Sequence, residues 1–157
     1  GRKGKIRLIE GRLNVGEVMS PAVIERVKKI GLDGKIGIID APPGTSCPVI
    51  AAVRDTDGVL LVTEPTPFGL YDLKLAVGMV RLLGIPCAVA INRSDLGEKE
   101  IWRYCADERI PIILEIPNDR RIAEAYSRGR TIIEELPEYR EKFLQGWQAL
   151  LESCSIA

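Results

Sequence analysis

Four short, almost wholly apolar runs recur along this chain, at 35–40, 58–63, 87–92 and 112–116, and longer amphipathic stretches separate them. A strand that is apolar on both faces has to be covered on both faces, which is the condition of a parallel sheet clothed by helices. The stretches at about 47–54, 68–83 and 97–108 carry helical spacing, and their alternation with the apolar runs is the pattern of successive βαβ units. The expected fold is α/β, a doubly wound and mostly parallel sheet with helices on both faces. No linker or internal repeat divides the chain, so one domain over 1–157 is expected. At 157 residues, 46% of them apolar, a chain buries about 68–70% of its unfolded surface, enough for one core.

The flanking segments fit that frame. Residues 5–9 alternate and read as an edge or hairpin strand that continues loosely through Leu13 and Val15. Ser20 and Pro21 form an N-cap and N1 pair, and the helix they open runs to Gly31. A short helix is expected at 119–128. A last one begins after Pro137 and places Tyr139, Phe143 and Trp147 on one face, which suits packing against the sheet.

Composition removes several function classes. The 22 basic and 22 acidic residues cancel and are mixed along the chain, so no field draws it to nucleic acid. No apolar run approaches a membrane span and no signal peptide is visible, so a cytoplasmic location is expected. Cys47, Cys87, Cys105 and Cys154 lack the close pairing of metal clusters and read as reduced thiols. The chain has no histidine, which removes the commonest general base and metal ligand. Beginning at Gly1 and not at Met, it reads as a fragment or a processed product.

All four apolar runs end in polar or Pro-containing segments: Asp40, Glu64-Pro65-Thr66, Asn92-Arg93-Ser94-Asp95 and Pro117-Asn118-Asp119. Ligands of open α/β sheets bind beyond the carboxyl ends of the strands, so this convergence is the candidate site. Asp40 could hold magnesium through water, since that ion keeps much of its hydration shell; alone, it could equally cap the next turn. In the Pro42-Pro43-Gly44-Thr45 loop, Gly44 offers a backbone N–H and torsional freedom where a terminal phosphate could be sensed. Thr45 and Ser46 could bond a phosphate or the attacking water, or act as N-caps. Asn92 presents both donor and acceptor and can read a purine edge; Asp95 leaves guanine open, and an Asx turn is the plainer alternative. Pro117-Asn118-Asp119 alone is an ordinary turn and helix start. Glu64 and Asp72 could act as bases, but a solvated loop and helix face explain both.

Together these segments resemble the MinD/Mrp/ParA group of P-loop ATPases. Asp40-Ala41-Pro42-Pro43-Gly44-Thr45-Ser46 is similar to their Walker B and switch region. Asn92-Arg93 is similar to their adenine-reading pair, and Ile116-Pro117-Asn118-Asp119 to the turn that lines the adenine. The likeness covers roughly 11–135 and is greatest to members with an inserted ferredoxin-like domain, where Gly11-Arg12-Leu13-Asn14-Val15-Gly16-Glu17 resembles the segment after the insertion. No Gly-x-x-x-x-Gly-Lys-[Ser/Thr] loop occurs in these residues. The resemblance thus implies a P-loop NTPase-like fold lacking the P-loop strand, inactive by itself. In the complete protein it implies ATP and magnesium, with Asp40, Gly44 and Thr45 in catalysis. Pro43, Asn92, Arg93, Asp95, Pro117, Asn118 and Asp119 would contact nucleotide. It further implies a homodimer, 4Fe–4S clusters in a segment outside this chain, and an iron–sulfur or redox client. A non-catalytic scaffold and a GTP-dependent switch are the competing expectations.

Overall fold

The computed structural model describes residues 2–3, 6–13, 20–31 and 36–154. They group into two compact units, Gly1–Asp55 and Thr56–Ala157.

In the first unit, β1 (Arg2–Lys3) pairs antiparallel with β2 (Ile6–Arg7), so the expected early strand is one arm of a short hairpin. The looser continuation holds no strand at Leu13, and Val15 lies outside the described residues. Helix α1 (Ser20–Gly31) packs along α2 (Cys47–Val53). The Lys28 ammonium donates to the carbonyls of Ala51 (3.2 Å) and Arg54, at the negative end of α2. The apolar run expected as a strand behaves differently. Residues 36–40 form no strand, residue 35 lies outside the described residues, and Ile36 and Ile38 are 73% and 84% exposed. A strand exists only through a neighbour that satisfies its N–H and C=O groups, and among the described residues none pairs with this segment.

The second unit follows the expected winding closely. Strands β3 (Val59–Thr63), β4 (Cys87–Asn92) and β5 (Ile112–Ile116) form a parallel sheet in that order. Between them run α3 (Pro67–Leu82) and α4 (Glu100–Asp107). Right-handed crossovers through strands taken in sequence must set both connecting helices on one face. The core agrees: Leu73 and Val77 of α3 and Ile101 and Cys105 of α4 pack with Val89 and Ile91 of β4. Alternation along β4 turns Ala88 and Ala90 to the other face, and both are buried. That side carries α7 (Tyr139–Cys154), where Gly146 lets the helix approach β5 closely: a Cβ there would lie 3.1 Å from the Ile113 carbonyl oxygen. Tyr139 of the expected aromatic stripe is buried, while Phe143 and Trp147 are half-buried.

Two short helices complete the unit, α5 (Arg120–Ser127) and α6 (Ile132–Glu135). The second was not expected from periodicity, being a single turn. Its cause is local: the Thr131 hydroxyl and the Glu134 carboxylate cap each other's backbone N–H.

Candidate functional site

The carboxyl ends of β3, β4 and β5 meet at one end of the second unit's sheet, and their loops are bound to one another. Register pairs Thr63 with Ile91 and Asn92 with Ile116, so the residues just beyond fall side by side. Arg93 adopts φ 50°, a left-handed turn that ends β4 sharply. The next residue, Ser94, donates its N–H to the Ile116 carbonyl at 2.9 Å. The Asp95 carboxylate accepts the N–H of Asn118. Asn92, Arg93, Asp95, Pro117 and Asn118 therefore occupy one continuous surface made by two loops.

The third loop joins them through a residue that sequence reasoning set aside. The Glu64 carboxylate accepts from the Asn92 amide nitrogen at 3.2 Å, and its other oxygen pairs with Arg93 at 3.4 Å. Glu64 is held by a stiff turn. Thr66 caps α3 by accepting the Gly69 N–H at 3.0 Å, and the buried Thr63 hydroxyl donates to the Gly69 carbonyl at 3.0 Å. The turn also packs against the next loop: at Gly97, with φ 73°, a Cβ would fall 1.9 Å from the Pro65 carbonyl oxygen. Equal apolar runs ending at Glu64 and Asn92 were the available signal, since in-phase parallel strands bring their first polar residues together.

Asp119 lies at the edge of the same surface but is occupied by the fold. Its carboxylate caps α5 by accepting the Arg121 N–H at 2.9 Å, pairs with the Arg121 guanidinium at 2.6 Å, and accepts the Tyr139 hydroxyl at 3.1 Å. Those donors, Arg121 foremost, hold its carboxyl down at about 2.

Asp40, Pro43, Gly44 and Thr45 belong to the first unit. Asp40 is exposed and has no hydrogen-bond or ion-pair partner among the described residues. One free carboxylate with a hydroxyl nearby in sequence is a donor set that fits magnesium, which binds through one or two carboxylates and keeps several waters. Gly44 takes φ 91°, where a side chain would strain the turn. Thr45 is exposed, and Ser46 stands at the N-cap of α2 without a side-chain cap bond.

No three metal-ligating side chains cluster among the described residues. The cysteines are free: Cys47 is exposed, Cys87 and Cys154 half-buried and Cys105 buried. Burial pushes the Cys105 thiol up to about 11. No helix among the described residues is long and apolar enough to cross a membrane.

No family model matches the chain. It is 36% identical over 129 residues to an uncharacterized protein of Methanocaldococcus jannaschii, covering 81% of this chain and 45% of that protein. Over 121 residues it is 27% identical to a cytosolic Fe-S cluster assembly factor, the Nubp2 homolog of Anopheles gambiae, covering 64% of this chain and 46% of that one. The chain thus spans about half the length of the curated relatives it matches. Among solved structures it is similar to the MinD cell division protein of Aquifex aeolicus, with TM-score 0.60 and 20% identity over 83% of this chain and 58% of that one.

Proposed function

This chain is related to the MinD superfamily of P-loop ATPases, and we propose on that footing that it forms the adenine-reading and switch portion of an ATPase. The observation that supports this reading most is the joined surface at the tips of β4 and β5. Asn92 and Arg93, the Asp95 carboxylate and the backbone of Pro117 and Asn118 are fastened together there by the Ser94 and Asn118 N–H bonds. A planar base needs such a combination: one side chain with donor and acceptor, and a backbone turn for the ring to lie against. Adenine is favoured over guanine, because the Asp40-Ala41-Pro42-Pro43-Gly44 switch resembles that of the ATPase group.

In the complete protein the phosphates would be cradled by a loop outside these residues. Asp40 would hold magnesium through water, and charge neutralisation at the phosphates is the chemistry such an ion would supply. The Gly44 N–H meets the terminal phosphate, so that the 41–47 loop is ordered by the triphosphate and released after hydrolysis. Thr45 orients the attacking water. Two such chains associate around two ATP molecules, in the cytoplasm. The name of the Anopheles relative, an Fe-S cluster assembly factor, supports coupling this cycle to iron–sulfur clusters held outside the chain, for delivery to a client or for electron transfer.

The test is Asp40→Ala in the intact protein, assayed for magnesium-dependent ATP hydrolysis. Hydrolysis should fall at least about a hundredfold, the scale of losing transition-state charge stabilisation. Unchanged turnover would remove Asp40 from the mechanism. Failure of the intact protein to bind ATP would leave the scaffold reading in its place.

A further inference from the structure

We propose that Glu64 is a positioning residue that sets which end of the Asn92 amide faces a ligand, and thereby makes the strand tips prefer a purine with a 6-amino group over one with a 6-carbonyl. The inference rests on the nucleotide reading above and deepens it.

The two ends of an asparagine amide have nearly one shape but opposite hydrogen-bonding character, so neighbours decide the orientation. A carboxylate only accepts, and therefore admits the NH2 end of Asn92 and repels the oxygen. That is the arrangement here, with the amide nitrogen 3.2 Å from Glu64. Arg93 on the second Glu64 oxygen, at 3.4 Å, keeps the carboxylate from swinging away. Register makes the pair permanent, since Thr63 stands opposite Ile91 and the next residue on each strand is a member of it. The stiff turn through Pro65, Thr66 and Gly69 fixes the Glu64 backbone from the other side.

What remains for a ligand is the amide oxygen. No donor meets it among the described residues, and Asn92 is only half-buried. An acceptor fixed at that place takes a hydrogen bond from the 6-amino group of adenine. It faces the 6-carbonyl of guanine or hypoxanthine as acceptor against acceptor. Without Glu64 the amide is free to turn over, offer its NH2 group and accept either kind of base. Asn92 alone is therefore a permissive reader, and Glu64 makes it selective.

The experiment uses the intact protein, wild type, Glu64→Ala, Glu64→Ser and Glu64→Gln, titrated at equilibrium with magnesium complexes of ATP, ITP and GTP. ITP is the critical probe, because hypoxanthine differs from adenine at the edge in question without guanine's extra amino group. Wild type should prefer ATP to ITP. Truncation to Ala or Ser should narrow that preference about tenfold, the worth of one hydrogen bond and its misdirected alternative. Gln donates as well as accepts, cannot fix the orientation, and should be as permissive as the truncations. Melting midpoints of the variants separate selectivity from stability, and the Ser variant serves if the Ala variant does not fold. An ATP-to-ITP ratio unchanged by truncation would overturn the role of Glu64 alone, as would a Gln variant as selective as wild type. No binding of any purine triphosphate by wild type would overturn the nucleotide reading, and the role of Glu64 with it.

Discussion

The approach of Gly97 to Pro65 makes a sharp test of how the site loops are held. Gly97→Ala would set a methyl carbon 1.9 Å from the Pro65 carbonyl oxygen and 3.1 Å from its carbon, where unstrained contact needs about 3.5 Å. The obstacle is the backbone of a proline-flanked turn and cannot rotate aside. The left-handed φ of 73° adds about 1 kcal/mol for any residue with a Cβ, and overpacking about 1–3 kcal/mol more. Restricting the unfolded chain returns about 0.4–1 kcal/mol, leaving a net loss of roughly 1–3.5 kcal/mol. Gly78→Ala is the matched control. That residue sits on the exposed side of α3 with nothing within 4 Å of an added Cβ, and the same change there should stabilise by about 0.5–1 kcal/mol. Trp102 and Trp147 both lie in the second unit, so their fluorescence during urea unfolding of this chain reports that unit. With a slope of about 2 kcal/mol/M, the Gly97 variant should unfold about 1 M earlier than wild type and the Gly78 variant slightly later. Equal midpoints for the two variants would refute the claim that the loop after β4 is seated on Pro65.

Two further expectations concern titrating groups. Asp119 has its folded carboxyl at about 2, below the ordinary value of about 3.9, so its contribution is complete above about pH 5 and disappears as the pH falls toward 2. The stability gap between wild type and Asp119→Ala should therefore shrink over that interval in acid unfolding; a gap independent of pH would mean its bonds to Arg121 and Tyr139 do not distinguish the ionised form. For the thiols, labelling with a maleimide at pH 8 should modify exposed Cys47 first. Buried Cys105, with its thiol near 11, should react at least about a hundredfold more slowly, and comparable rates would contradict the packing of α4 against β4.

Much of the second unit was legible in the residues. The runs at 87–92 and 112–116 became β4 and β5 with those bounds, because a strand buried on both faces is apolar at nearly every position and a polar residue marks where burial stops. Helices α3, α4 and α5 followed from periodicity and punctuation to within a few residues. The run at 35–40 has the same chemistry, but residues 36–40 have no strand partner among the described residues, and pairing is a property of neighbours that composition cannot carry. Glu64 was passed over for a related reason. Its two partners lie 28 and 29 residues away, and only the register of β3 on β4 makes them adjacent. Asp119 taught the opposite lesson: a residue picked for a ligand spends its oxygens on a helix end, an arginine and a tyrosine.

The Glu64 and Asn92 side chains stand at or beyond the last paired residues of β3 and β4, outside the apolar cluster that stabilises the sheet. Exchanging them leaves the ladder and the interior untouched. A lineage built on this scaffold can therefore drift in what it recognises while its architecture stays fixed, since the mutations that retune the tip forfeit a hydrogen bond and an ion pair and leave the core packing in place.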